Sequence, residues 1–270
     1  MLARPHTAPL TVLAGGTDFY PARVGRAIDE DVLDIGGIEV LRGISADSGG
    51  WRLGATTTWT DLLRADDLPP LFDGLKQAAR EVGGRQIQNA GTLAGNLCNA
   101  SPAADGVPGL LALDAEVELA SSAGRRRLPL QTFITGNRRT TLAADELLVA
   151  IHIAKPAHDA RSGFLKLGAR RYLVISIAMA AATLEIAGDE GFGRIVAARV
   201  AVGACSAVAQ RLPALEAALA GAALDGSLAE RLDPSHLAPL APIDDVRGSA
   251  AYRNDAVLTL LRRLLLGFVP

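Results

Sequence analysis

The stretch "GTLAGNLCNASPAAD", Gly91 to Asp105, sets small residues beside Asn96, Asn99 and an Asp, directly after a segment of helical spacing. A plain turn needs one or two such residues. A loop of this length and smallness is expected where something large and polar lies against the backbone. Gly91 and Gly95 permit close approach, Thr92, Asn96, Asn99 and Ser101 offer short polar side chains, and Ser101-Pro102 forces a turn. Asp105 is an acceptor for a ribose or ribityl hydroxyl, or else an N-cap for the apolar segment Val107 to Leu113.

Upstream, Leu75, Ala78, Ala79 and Val82 fall on one helical face, with Asp73 at the cap and Gly83-Gly84 past the end. Leu10 to Ala14 reads as a buried strand entering a turn at Gly15-Gly16, and Val32 to Ile35 repeats that pattern before Gly36-Gly37. Trp51 to Ala55 alternates like a strand, and Thr60-Asp61 is placed to cap a short helix through Leu62 and Leu63. Downstream, Ala115 to Ala120, Arg127 to Leu130 and Leu147 to Ile153 read as strands of a mostly antiparallel sheet. A turn-rich stretch from Pro156 to Gly163 marks the domain boundary. Beyond it, Phe164 to Leu167, Ser176 to Ile186 and Ile195 to Val202 read as strands, and Pro213 to Leu219 and Ala250 to Leu266 as helices.

Bulk properties exclude several classes. With 49% hydrophobic and 21% charged residues, the 270-residue chain has a soluble globular composition. Its net charge is −2, and the longest basic run, Arg125 to Arg127, reads as a hairpin tip or a polyanion site, so nucleic acid is not the expected partner. The most apolar stretch, Val174 to Ala187, contains Glu185 and is too short for a transmembrane segment. Cys98 and Cys205 are the two cysteines, too few for an iron–sulfur cluster held by this chain alone, and they suit a reducing, cytoplasmic setting. Cys98 reads as a small packed thiol. The four histidines have no metal-ligand spacing, and His152 reads as a structural strand residue.

Neither a Rossmann fingerprint, a P-loop nor a GxSxG elbow is present. Two glycine segments remain. In "AGGTD", Ala14 to Asp18, successive backbone N–H groups can converge on a phosphate oxygen, and Thr17 adds a hydroxyl; a tight turn capped by Thr17 or Asp18 is the other reading. This segment and the one at Gly91 lie about 75 residues apart. Together they fit a long ligand with a pyrophosphate in its middle, a dinucleotide held without a Rossmann motif.

"LAGGTDFYP" at Leu13 to Pro21 and "GTLAGNLCNASPAAD" resemble the two FAD-binding signatures of the molybdenum hydroxylase flavoproteins, the medium subunits of the xanthine dehydrogenase and carbon monoxide dehydrogenase family. "LKQAAREVGGRQIQNAGT", "LLALDAEVELA", "FITGNRRTTLAADELLVAIHI" and "FLKLGARRYLVISIAMAAA" extend the resemblance over nearly the whole chain. It implies an α+β fold. A two-lobed FAD-binding domain over residues 1–157, a small α/β lobe plus a larger antiparallel lobe, is followed by a C-terminal domain over 158–270 with a three-stranded antiparallel sheet and a helical bundle. It further implies that Leu13, Ala14, Gly15, Gly16, Thr17 and Asp18 wrap the pyrophosphate. Thr92, Gly95, Asn96, Asn99 and Asp105 would hold the diphosphate and sugar hydroxyls, Leu148 would pack near the flavin or adenine, and Lys166 would match an FAD-contacting lysine.

The implied role is an electron-transfer subunit. It would work with a small subunit carrying two [2Fe–2S] clusters and a large molybdopterin-binding subunit, most simply as a dimer of heterotrimers. Three departures stand out. The N-terminus is short, so the first helix of the small lobe is expected to be abbreviated or missing. Ala94-Gly95-Asn96 replaces Gly-Gly-Asn, and Val174-Ile175 replaces the usual Asp-Ile after Arg170-Arg171. A free-standing FAD-dependent oxidase or reductase and a non-catalytic scaffold are the competing readings. The first would need its own acid or base beside the flavin, and none is evident.

Overall fold

The computed structural model describes residues 10–188 and 193–270. The expected loss of a first helix falls on residues 1–9, outside the described residues. Strand β1 (Leu10–Leu13) pairs in parallel with β2 (Asp31–Asp34), Leu10 opposite Asp31 and Leu13 opposite Asp34. A parallel pair needs a crossover, and the chain makes it through Gly15-Gly16 and a short 3-10 turn at Pro21–Arg23. Ile35 and Leu41 close this small lobe against Val149.

The larger lobe starts with a hairpin of β3 (Ile44–Asp47) and β4 (Gly50–Gly54). Five helices follow: α1 (Trp59–Leu63), α2 (Asp73–Glu81), α3 (Arg85–Ala90), α4 (Leu93–Asn99) and α5 (Gly106–Ala112). The helix expected from Thr60-Asp61 is capped two residues earlier, at Thr58. Thr58 Oγ1 accepts from Asp61 N and the Asp61 carboxylate accepts from Thr58 N, a reciprocal capping box. Asp73 is likewise the first helical residue of α2, not its cap.

Strands β5 (Glu116–Ser121) and β6 (Gly124–Pro129) form the next hairpin. Arg125 to Arg127 lie along β6 rather than at the tip, because Ser122-Ala123 make the turn. Their guanidinium groups are engaged: Arg125 with Glu118 at 2.7 Å and Arg126 with Glu146 at 2.6 Å. A short helix α6 (Leu130–Phe133), a small hairpin of β7 (Ile134–Gly136) and β8 (Arg139–Thr140), and β9 (Leu147–Ala154) complete the lobe. The sheet order β3-β4-β9-β5-β6 is antiparallel throughout. Its inner face, with Leu53, Val117, Leu119 and Ile151, buries Trp59, Phe72, Leu97 and Leu110 of the helical layer. On β9, the His152 ring hydrogen-bonds to Glu118 at 2.6 Å, the structural role read from the sequence.

The C-terminal part is one sheet covered by helices. Strands β10 (Asp159–Leu167), β11 (Ala178–Ala187) and β12 (Arg194–Gly203) are antiparallel, and a two-residue β13 (Gln210–Arg211) extends the expected three strands to four. β10 begins inside the stretch read as turn-rich, and β11 begins at Ala178 rather than Ser176. Helices α7 (Pro213–Leu219) and α8 (Ala250–Leu266), with 3-10 turns between them, cover the sheet through Leu215, Leu219, Val257, Leu261 and Leu265. The two parts meet where α2 packs on β10. Ser162 Oγ accepts from Gly74 N and donates to Leu71 O, and Phe164 N donates to Gln77 Oε1 at 2.7 Å. Among the described residues, no helix is long and apolar enough to cross a membrane.

Candidate cofactor-binding cleft

The stretch Gly91 to Asp105 is a loop only in part. Its middle seven residues, Leu93–Asn99, are α4, whose N-cap Thr92 accepts from Gly95 N at 3.0 Å. The helix start is pinned to the start of α1: Leu93 N donates to Thr57 O and Trp59 N to Gly91 O, across a Thr58–Thr92 bridge. Asn96 Oδ1 accepts from Gly106 N and so ties α4 to α5. At the other end, Ala100 turns left-handed at φ 46° and stops the helix.

The Gly15-Gly16 turn is seated on this arrangement. A β-carbon on Gly15 would stand 1.8 Å from the carbonyl oxygen of Ala90 and 3.0 Å from the Gly91 α-carbon. Gly16 has φ +68°, and a β-carbon there would meet the Tyr20 ring at 2.6 Å. A β-carbon at Gly95 would meet Thr92 Oγ1 at 2.7 Å. At Gly15 a fixed backbone carbonyl already demands glycine; at Gly16 and Gly95 the neighbours are side chains. No described group accepts from the N–H groups of Gly15, Gly16, Thr17 or Asp18.

Between the two segments lies a cleft of about 630 Å³, within the range of small-molecule sites. Of the thirteen residues expected to bind, Leu13, Ala14, Gly15, Gly16, Thr17, Asp18, Thr92, Gly95, Asn96, Asn99 and Leu148 line it. The remaining two, Asp105 and Lys166, do not. They bind each other: Lys166 Nζ donates to Asp105 Oδ2 at 2.6 Å and to Glu81 O at 3.3 Å, and Ser176 Oγ donates to Asp105 Oδ1 at 2.5 Å. Burial pushes the Asp105 carboxyl above the usual carboxylate range, and Lys166 and Ser176 pull it back only in part. Asp105 occupies the position before α5 without capping it.

Sequence reasoning missed other parts of the wall. Ile35, Leu142 and Leu147 join Leu148 as an apolar flank, while Phe19, Trp59 and Arg138 lie among the polar groups. Arg138 sits in the turn between β7 and β8 and donates through Nη1 to Asn99 Oδ1. In the sequence it is one arginine of a polar turn, and nothing local ties it to Asn99. Cys98 also differs from expectation. It lies exposed on the cleft wall rather than packed, and desolvation by the surrounding atoms pushes its thiol up.

Free backbone donors and apolar side chains lining one cleft suit a ligand with an anionic middle and flat apolar rings. Comparisons with known proteins agree. Residues 2–156 match the family described as the FAD binding domain in molybdopterin dehydrogenase, and residues 164–268 match the CO dehydrogenase flavoprotein C-terminal domain. The chain is 31% identical to the xanthine dehydrogenase FAD-binding subunit of Escherichia coli O157:H7, over 94% of this chain and 87% of that one. It is 30% identical to the nicotine 6-hydroxylase medium subunit of Paenarthrobacter nicotinovorans, over 94% and 88%. Among solved structures it is similar to quinoline 2-oxidoreductase from Pseudomonas putida 86, with a TM-score of 0.85 and 28% identity over 96% of this chain and 89% of that one. The chain belongs to the FAD-binding medium-subunit family of the molybdenum hydroxylases, FAD-dependent oxidoreductases.

Proposed function

We propose that this chain is the electron-transfer subunit of a heterotrimeric molybdenum hydroxylase. Its route would run from the [2Fe–2S] clusters of a small partner subunit, through FAD in this cleft, to an external acceptor, with substrate hydroxylated on a large molybdopterin-binding subunit. A cytoplasmic dimer of such heterotrimers is the assembly we favour, with residues 1–157 as the FAD-binding domain and 158–270 as the C-terminal domain.

The observation that carries the reading is the seating of Gly15 on Ala90, which sets free backbone donors opposite the first turn of α4. Bound FAD would supply the redox chemistry, accepting and releasing electrons singly. The chain's residues bind and orient. The Gly15 to Asp18 backbone donates to the pyrophosphate oxygens. Asn96 and Asn99 offer side-chain polar groups to the diphosphate and sugar hydroxyls, and Leu148 with Ile35 and Leu147 excludes water from a ring face. Asp105 and Lys166 brace the wall from behind. Cys98 and Cys205 are too few to hold a cluster, so electrons have to arrive from another chain.

Titrating the flavin-free chain with FAD and with FMN tests the site. Tight binding of FAD and weak binding of FMN is expected, because two anion-binding segments suit a pyrophosphate. Equal affinity for the two, or none, contradicts the reading.

A further inference from the structure

Three residues on the cleft wall carry ionic charge: Asp18, Arg23 and Arg138. Arg23 is committed. Its Nε donates to Glu30 at 2.5 Å and its guanidinium lies 3.7 Å above the Phe19 ring. Lys166, the cation expected from sequence, faces Asp105 outside the cleft. Arg138 is different. Among the described residues no carboxylate pairs with it, and its side-chain partners are the neutral Oδ1 and carbonyl of Asn99.

The backbone under Arg138 has a left-handed φ of 58°. An L-residue with a long side chain is disfavoured there, and glycine or asparagine is the usual occupant. The conformation is held by Arg138 N donating to Ala100 O at 2.9 Å, which docks the β7–β8 turn onto the end of α4. Arg138 is exposed, and a left-handed backbone that holds a guanidinium without a carboxylate partner on a cleft wall is a reason to look for a ligand. Arginine presents a planar fork of donors that matches phosphate oxygens, and Asn99 uses only Nη1 of it.

We infer that Arg138 is a further cofactor-binding residue: its guanidinium neutralises the pyrophosphate of the dinucleotide, with Asn99 fixing its orientation. The inference rests on the FAD reading above. It would also supply what the backbone donors lack, a full positive charge on the wall of the same cleft.

The test is FAD titration of the flavin-free full chain, wild type against Arg138→Gln, Arg138→Lys and Arg138→Gly, at low and high salt. Thermal unfolding of each flavin-free protein is measured in parallel. Arg138→Gln should weaken FAD at least about tenfold at low salt, the scale of losing a charge-assisted hydrogen bond. Arg138→Lys should lose less, and the gap to wild type should narrow as salt rises. Arg138→Gly should lose FAD affinity like Arg138→Gln while its flavin-free midpoint equals or exceeds that of wild type, since glycine relieves the backbone. A structural role as a clamp on α4 predicts the reverse: a lower midpoint and unchanged FAD affinity. That result, or wild-type affinity in Arg138→Gln, overturns the inference. Failure of the wild type to bind FAD overturns the functional reading itself, and the inference with it.

Discussion

Lys166 Nζ stands 2.6 Å from Asp105 Oδ2, with 5% and 10% of the two side chains exposed. The pair joins β10 of the C-terminal sheet to the start of α5 behind the cleft. Removing one partner leaves the other charged and buried. Lys166→Met should therefore destabilise the chain by roughly 3–5 kcal/mol. Adding Asp105→Asn in the same chain should recover much of that loss. Urea unfolding checks both; a single variant as stable as wild type would show that the pair braces nothing.

Gly15 and Gly16 should respond differently to alanine. At Gly15 the new carbon meets a fixed carbonyl, Ala90 O at 1.8 Å, so the two cleft segments must separate. At Gly16 it meets the Tyr20 ring, which can move, on a backbone at φ +68°. Gly15→Ala is expected to cost about 1–3 kcal/mol and most of the FAD affinity, as overpacking against backbone does. Gly16→Ala should cost less. Unfolding midpoints and flavin content after purification decide the order.

Glu146 gives a pH signature. Bidentate hydrogen bonds from Arg126, at 2.6 and 2.7 Å, hold its carboxyl at about 2, below its ordinary 4.5. A folded value below the unfolded one means stability that is present above about 4.5 and is lost as pH falls toward about 2. Arg126 is half exposed, so the contribution is modest. Glu146→Gln should lower the thermal midpoint at pH 7, and the gap to wild type should close on acidification through that window. A gap that widens at low pH would contradict the assignment. Because Leu142 and Leu147 flank this clamp and line the cleft, weaker FAD binding should accompany the lower midpoint.

Cys98 should be a slow thiol. With its thiol pushed up by desolvation, less thiolate exists at pH 8 than in the unfolded chain. Alkylation of the native flavin-free chain, followed by mass spectrometry, should label Cys98 far more slowly than the unfolded chain. Equal rates would mean that the cleft wall does not raise the thiol.

Much of the cleft was legible in the sequence because both signatures are local. Gly15-Gly16 ends a strand, and Thr92 to Asn99 sits between two helical patterns. What sequence did not show was a second cause. Glycine patterns look alike whether a ligand or a neighbouring carbonyl demands them, and the contact of Gly15 with Ala90 is invisible until the chain is folded. Small residues read as a loop still formed α4, since Thr92 caps it and Leu93 and Leu97 bury one face. Arg138 and the Asp105–Lys166 pair were out of reach for a different reason. Arg138 meets Asn99 across 39 residues and Lys166 meets Asp105 across 61, distances over which no periodicity reports.

The central claim, that this chain moves electrons only for partner chains, is tested most directly by anaerobic absorbance of its flavin band. The FAD-loaded chain alone should bleach with dithionite and remain oxidised with aldehyde, purine or N-heterocycle substrates. Adding the iron–sulfur and molybdopterin chains should restore bleaching by the substrate of the complex. Rapid bleaching of the isolated chain by an organic substrate, with no cluster protein present, would contradict the account and identify a free-standing oxidase.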